Sequence, residues 1–120
     1  MDILLGVNMQ RLMDLSDNYK QNFTYTLENG KQFTMDLWFS DSQLGWFFDI
    51  EFEDFKATGL HLVNNPNLLD PYFNILKFGL ACIVTDGQEP YFLDDFVTGR
   101  VQLNVLNEDE VKQLMEAYNE

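Results

Sequence analysis

From Leu44 to Phe55 the chain reads LGWFFDIEFEDF, with apolar and polar positions alternating. Trp46, Phe48, Ile50 and Phe52 fall on one side, and Phe47, Asp49, Glu51 and Glu53 on the other. Successive side chains of a strand point to opposite faces, so this stretch predicts a half-buried antiparallel strand. Its apolar face is taken as fold-determining: Trp46, Phe48, Ile50 and Phe52 bury large areas, and neighbouring apolar runs pack onto them.

The same alternation recurs upstream. Phe23, Tyr25 and Leu27 alternate with Asn22, Thr24 and Thr26; Phe33, Met35, Leu37 and Phe39 alternate with Gln32, Thr34, Asp36 and Trp38. Glu28-Asn29-Gly30-Lys31 lies between them, and Asn-Gly in that position predicts a hairpin because both residues tolerate positive φ. Ser40–Gln43 turns the chain into the central strand, giving a three-stranded meander. A fourth strand is expected at Thr58–Val63, with Gly59 marking a bulge.

Downstream, Asn64-Asn65-Pro66-Asn67 ends that strand, and Leu68–Phe78 predicts a short helix with Pro71 in its first turn. Leu80–Thr85 reads as a short buried strand closed by Asp86-Gly87, Gln88–Thr98 as a loop, and Arg100–Leu106 as a last alternating strand. Asn107 then caps a helix over residues 107–119, with Glu110 completing a variant of the capping box. Val111, Leu114, Met115 and Tyr118 share its apolar face. In Met1–Leu15, Leu5, Val7 and Met9 suit a strand whereas Met9, Leu12 and Met13 suit a helix; the preference is for an extended arm with an edge strand. The whole predicts one mainly β domain over residues 1–120, an antiparallel sandwich or small barrel carrying a mid-chain and a C-terminal helix.

Composition narrows the function classes. Seven basic residues against twenty acidic ones leave a net charge of −13, which disfavours duplex binding and anionic membranes. Two Trp, five Tyr and eleven Phe can fill the core of 120 residues with a surplus, which belongs either to scattered surface or to protein contacts. No run approaches the ~20 apolar residues of a membrane span. Met1–Val7 lacks the features of a signal peptide, so synthesis in the cytoplasm is expected.

Candidate chemistry is sparse. Cys82 stands alone in an apolar run and reads as a small core residue. His61, between Leu60 and Leu62, reads as structural, because a metal site needs several convergent ligands. Asp49, Glu51 and Glu53 line one strand face at a spacing that suits paired carboxylates, but no cleft or unlike environments are evident and a solvated strand face explains them. Asp94-Asp95 with Asp86 carries a weak calcium signal without EF-hand spacing. No catalytic residue, metal site or cofactor is assigned. The candidate contact residues are Tyr91, Phe92 and Phe96 of the Gln88–Thr98 loop, together with the arm Met1–Leu15; anchoring of that loop into the domain's own core is the alternative.

The order of these signals carries a resemblance. Gln21-Asn22-Phe23, Asn29-Gly30, Leu37-Trp38, Gly45-Trp46-Phe47-Phe48-Asp49-Ile50, Gly59, Asn67-Leu68-Leu69-Asp70-Pro71-Tyr72, Gly79, Asp86-Gly87-Gln88-Glu89-Pro90 and Leu103-Asn104-Val105-Leu106 follow one another. Over Gln21–Leu106 this resembles the baseplate plug family of contractile-tailed bacteriophages, cyanophage members included. The resemblance implies a structural virion protein at the centre of the tail baseplate that closes the tail tube. Its implied partners are hub, tube and spike proteins and copies of itself, with a trimer matching the symmetry of phage hubs. It implies no enzyme activity and no cofactor. An acidic protein-binding module or inhibitor that mimics nucleic acid is the second reading, and a small β-fold enzyme or ligand carrier the third.

Overall fold

The Asn-Gly signal becomes a hairpin in the computed structural model, which describes residues 10–119. Strand β2 (Lys20–Thr26) pairs along its whole length with β3 (Gln32–Ser40), Phe23 opposite Met35 and Tyr25 opposite Phe33. Only Gly30 of the pair takes positive φ, at 84°. Leu27 accepts from the Gly30 N–H at 2.9 Å and donates to the Lys31 carbonyl at 2.7 Å. This is a longer loop with a glycine in the left-handed region, in place of the two-residue turn that would set both residues there.

Strand β4 (Gly45–Phe52) follows, antiparallel to β3, with Leu37 opposite Phe48 and Phe39 opposite Trp46. Strand β5 (Phe55–His61) starts three residues before the expected Thr58. Glu53, at φ 53°, lets a tight turn join Phe52 to Phe55, a role its residue type does not advertise. Phe48 pairs with Leu60 and Ile50 with Ala57, so Thr58 and Gly59 together face Asp49. That is the bulge expected at Gly59, whose φ is 67°.

A second sheet completes a sandwich. Its order is β1 (Gln10–Arg11), β7 (Val101–Leu106), β6 (Gly79–Val84), all antiparallel. The arm thus contributes an edge strand; the Leu5, Val7 and Met9 alternation lies outside the described residues. Between the sheets, Met35, Leu37, Trp46, Phe48 and Ile50 meet Leu80, Cys82 and Leu103 in one buried cluster. Phe33 and Phe52 both pack on Phe78, with ring centroids 5.0 and 5.2 Å apart.

The mid-chain helix forms as a 3-10 turn at Asp70–Tyr72, which accommodates Pro71, running into α1 (Phe73–Leu76). Lys77, at φ 59°, ends it. Helix α2 (Glu108–Asn119) packs Val111 and Leu114 on Ala81, Leu106 and Phe73. Its capping box is formed: Asn107 Oδ1 accepts from the Glu110 N–H, and Glu110 Oε1 from the Asn107 N–H, both at 2.8 Å. Met115 was expected on the buried face but is exposed, the packing of α2 on the sheet being made through Val111 and Leu114; the Tyr118 side chain lies outside the described residues.

Candidate partner interface: a clamped apolar loop

Between β6 and β7 the chain makes a long connection held in one shape by polar side chains. It opens with a turn at Asp86-Gly87, where Gly87 donates to the Val84 carbonyl at 3.0 Å and Gln88 N–H to Asp86 Oδ1 at 3.0 Å. Arg100, just before β7, reaches back over it. Its Nε donates to Asp86 Oδ2 at 2.9 Å, Nη1 to Asp95 Oδ1 at 2.9 Å, and Nη2 to the Glu89 carbonyl at 2.8 Å. The guanidinium also lies over the Phe92 ring, 5.2 Å from its centroid.

Asp95 is the other half of the clamp. It is buried, and its second oxygen accepts from the Phe92 N–H at 2.8 Å. Charge-assisted bonds of this kind fix geometry as well as adding energy. They also shift the titrations. The Gln88 N–H and then the Arg100 bond hold the Asp86 carboxyl below its usual range. Burial acts to lower the Arg100 pKa, but the bonds to Asp86 and Asp95 outweigh it and hold Arg100 above its usual value. Below the loop, burial followed by the charges of Glu89 and Asp95 pushes the Cys82 thiol up to about 12, so it stays protonated.

The aromatic residues of the loop divide. Phe96 is turned inward, its centroid 4.8 Å from that of Trp46. The Trp46 indole N–H donates to the Phe92 carbonyl at 3.1 Å, a second anchor from the same side chain. Phe96 is buried and anchors the loop in the domain's own core, the alternative to presenting it at the surface. Tyr91, Phe92, Leu93 and Val97 are exposed, Phe92 at 56%. Leu44 is also exposed, and the next residue, Gly45, lies against the loop: an added Cβ there would be 3.1 Å from His61 Nε2 and 3.4 Å from the Pro90 carbonyl oxygen. Exposed apolar groups on a rigid support suit a contact surface, since little ordering remains for binding to oppose.

The other sequence candidates fall elsewhere. Asp86 and Asp95 do converge, but on the guanidinium of Arg100, while Asp94 points to solvent. Asp49 Oδ1 accepts from the Gly59 N–H at 2.8 Å, Glu51 sits opposite Lys56, and Glu53 lies in the turn 3.4 Å from Lys31. These three acids line no shared cleft. His61 stacks on Phe47 at 4.7 Å. The clamp residues Arg100, Asp95 and Glu89 were missed as a set. The available signal was a single Arg closing a loop that is rich in acids.

Exposed apolar groups held in a fixed loop on a β-sandwich make a candidate contact surface. Comparison with known families agrees. A family model described as cyanophage baseplate Pam3 plug gp18 matches residues 9–108 of the 120-residue chain. The chain belongs to this family of baseplate plug proteins, which places it among the structural components of the phage tail. The match is wider than Gln21–Leu106 and takes in β1 and the start of α2. No curated protein matches the chain.

Proposed function

We propose that this protein works by contact and not by catalysis, as a plug on the axis of a contractile tail baseplate. It closes the end of the tail tube beside the hub and spike, and leaves when the baseplate rearranges. The family supports the structural role and the association with baseplate components. The observation that carries the contact mechanism is the clamped loop, with Tyr91, Phe92, Leu93 and Val97 held outward over a buried Asp95–Arg100 pair. Axial placement favours several copies around the tube, and a trimer fits a three-fold hub. Expulsion as a folded unit suits a domain with a continuous apolar core, in which Trp46, Met35, Leu37 and Ile50 are fully buried.

The test is imaging of assembled particles. Density for this chain on the baseplate axis, contacting neighbours through the Tyr91–Val97 surface, is the expected result. Absence from mature particles, together with a soluble protein that binds no tail component, would overturn the plug and favour the acidic inhibitor.

A further inference from the structure

The outer face of the β2–β5 sheet is ruled in cross-strand rows. One row runs Lys20, Trp38, Phe47, His61, each opposite the next in register. Trp38 and Phe47 stack at 6.1 Å, and Phe47 and His61 at 4.7 Å. The adjacent row runs Asn22, Asp36, Asp49 and the bulge at Gly59. Asp36 and Asp49 therefore stand directly opposite each other, a position in which like charges repel. One oxygen of each is satisfied, Asp36 Oδ1 by the Asn22 amide at 2.6 Å and Asp49 Oδ1 by the Gly59 N–H at 2.8 Å. Among the described residues, neither carboxylate has a cation within ion-pair distance. Asp36, Asp49, Asn22, Trp38 and Lys20 line one shallow groove. Helix α2 packs on the other sheet, so among the described residues no long helix covers this face.

We propose that this face docks a basic segment of a partner protein, with an arginine seated between the Asp36–Asp49 pair and the Trp38 ring. A planar guanidinium stacks on an aromatic face while its N–H groups bond carboxylates in the same plane. Same-face neighbours on a strand are about 6.5–7 Å apart, so one side chain reaches both rows. The protein already uses this chemistry internally: Arg100 is held by Asp86 and Asp95 with the Phe92 ring 5.2 Å away. On the outer face the acids and the ring are present and the arginine is missing. A second copy is the poorer occupant of this face, because it carries two arginines, of which Arg100 is already held by Asp86 and Asp95. The proposal names a partner chemistry for the plug reading and rests on that reading only for where the partner sits.

The experiment uses the whole chain and a synthetic peptide of alternating Arg and Thr, with a Lys–Thr peptide alongside. Indole N–H resonances separate Trp38 from the buried Trp46, and calorimetry gives affinities. The Arg peptide is expected to shift Trp38 and leave Trp46 in place. The double variant Asp36→Asn, Asp49→Asn keeps both local hydrogen-bond acceptors and removes the repulsion, so it folds; it should bind at least tenfold more weakly, as should Trp38→Leu. The charge-matched control Asp109→Asn, Glu116→Gln, on the exposed side of α2, should change affinity less than threefold. Equal binding of the Lys peptide, or an equal loss in the control, would reduce the effect to general acidity and overturn the proposal. So would a Trp38 shift produced by Ca²⁺ or Mg²⁺ below the peptide concentration needed, or by raising the protein concentration alone. Each of these outcomes leaves the particle-imaging test of the plug untouched.

Discussion

The meander β2–β5 and the connections Leu62–Phe78 and Thr85–Arg100 enclose one core by different means. The meander is held by continuous backbone ladders, seven residue pairs between β2 and β3 alone, over a uniformly apolar inner face. The connections are held by isolated bonds, a backbone bridge between Asn65 and Cys82 in the first and single polar side chains in both. Asn67 Oδ1 accepts the N–H groups of Leu69 and Leu80 at 3.0 and 3.1 Å, Glu89 Oε2 that of Asn64 at 3.0 Å, and Asp95 that of Phe92 at 2.8 Å. A ladder spreads its stabilisation over many small contributions. A clamp concentrates it, so one substitution can free a whole loop while the sheet persists.

Trp46 belongs to both systems and is the severest test. Its ring fills the core between Phe39 and Phe96, at 5.4 and 4.8 Å, and its N–H holds the Phe92 carbonyl. Trp46→Ala is expected to cost about 3–5 kcal/mol in denaturant unfolding. It should also raise amide exchange in both the meander and the Gln88–Thr98 loop. Melting unchanged from wild type would remove Trp46 as the link between the two.

Asp95→Ala should separate them. It frees the Phe92 N–H and takes one of two carboxylates from a largely buried Arg100. The expected cost is about 1–3 kcal/mol. Exchange should accelerate from Phe92 to Arg100 and stay at wild-type rates in β2–β4. Uniform acceleration would show that the loop and the sheets open together.

The same contrast decides what was legible in the sequence. Alternation with Asn29-Gly30 at the turn is a local pattern, and the meander followed from it. So did the capping box at Asn107 and Glu110. The clamp is not local: Arg100 meets Asp86 from fourteen residues away, and periodicity is silent about such pairs. Asp94-Asp95 with Asp86 gave a weak calcium signal, whereas Asp86 and Asp95 hold the guanidinium of Arg100 and Asp94 is exposed. Phe96 and Phe92 look alike in sequence, and only the position of Trp46 decides which is buried. The β5 start was misplaced because Glu53 and Asp54 turn the chain without a glycine.

Within the meander, Thr34→Ala is a mild challenge. Thr24 and Thr34 face each other with hydroxyls 3.1 Å apart on the exposed face. Losing that bond should cost about 0.2–1 kcal/mol, with exchange in the Gln88–Thr98 loop unchanged. A larger effect in the loop than in the sheet would contradict the division drawn above.

The smallest effect tests a clamp of the second kind, the capping box of α2. Burial raises the Glu110 pKa; the Asn107 N–H opposes that shift, and the charge of Glu28 adds to it, leaving the pKa above the usual carboxylate value. The folded state therefore binds this proton more tightly than the unfolded chain. The resulting stability is full below the unfolded carboxylate pKa, about 4.3, and is lost as pH rises through the raised folded value. Asp86 runs the other way: its pKa is lowered, so its contribution is present above the ordinary value and is lost as pH falls through the depressed one. Comparing wild type with Glu110→Gln cancels Asp86. Gln at this position still accepts the Asn107 N–H, so the variant should lie within about 0.5 kcal/mol of wild type at neutral pH, the scale of a preserved cap. Measured across the acid range, the wild type should lose stability relative to the variant as pH rises from 4. A difference that grows in favour of the wild type would mean that the Glu110 charge gains more from the N-terminal dipole of α2 than it loses by burial.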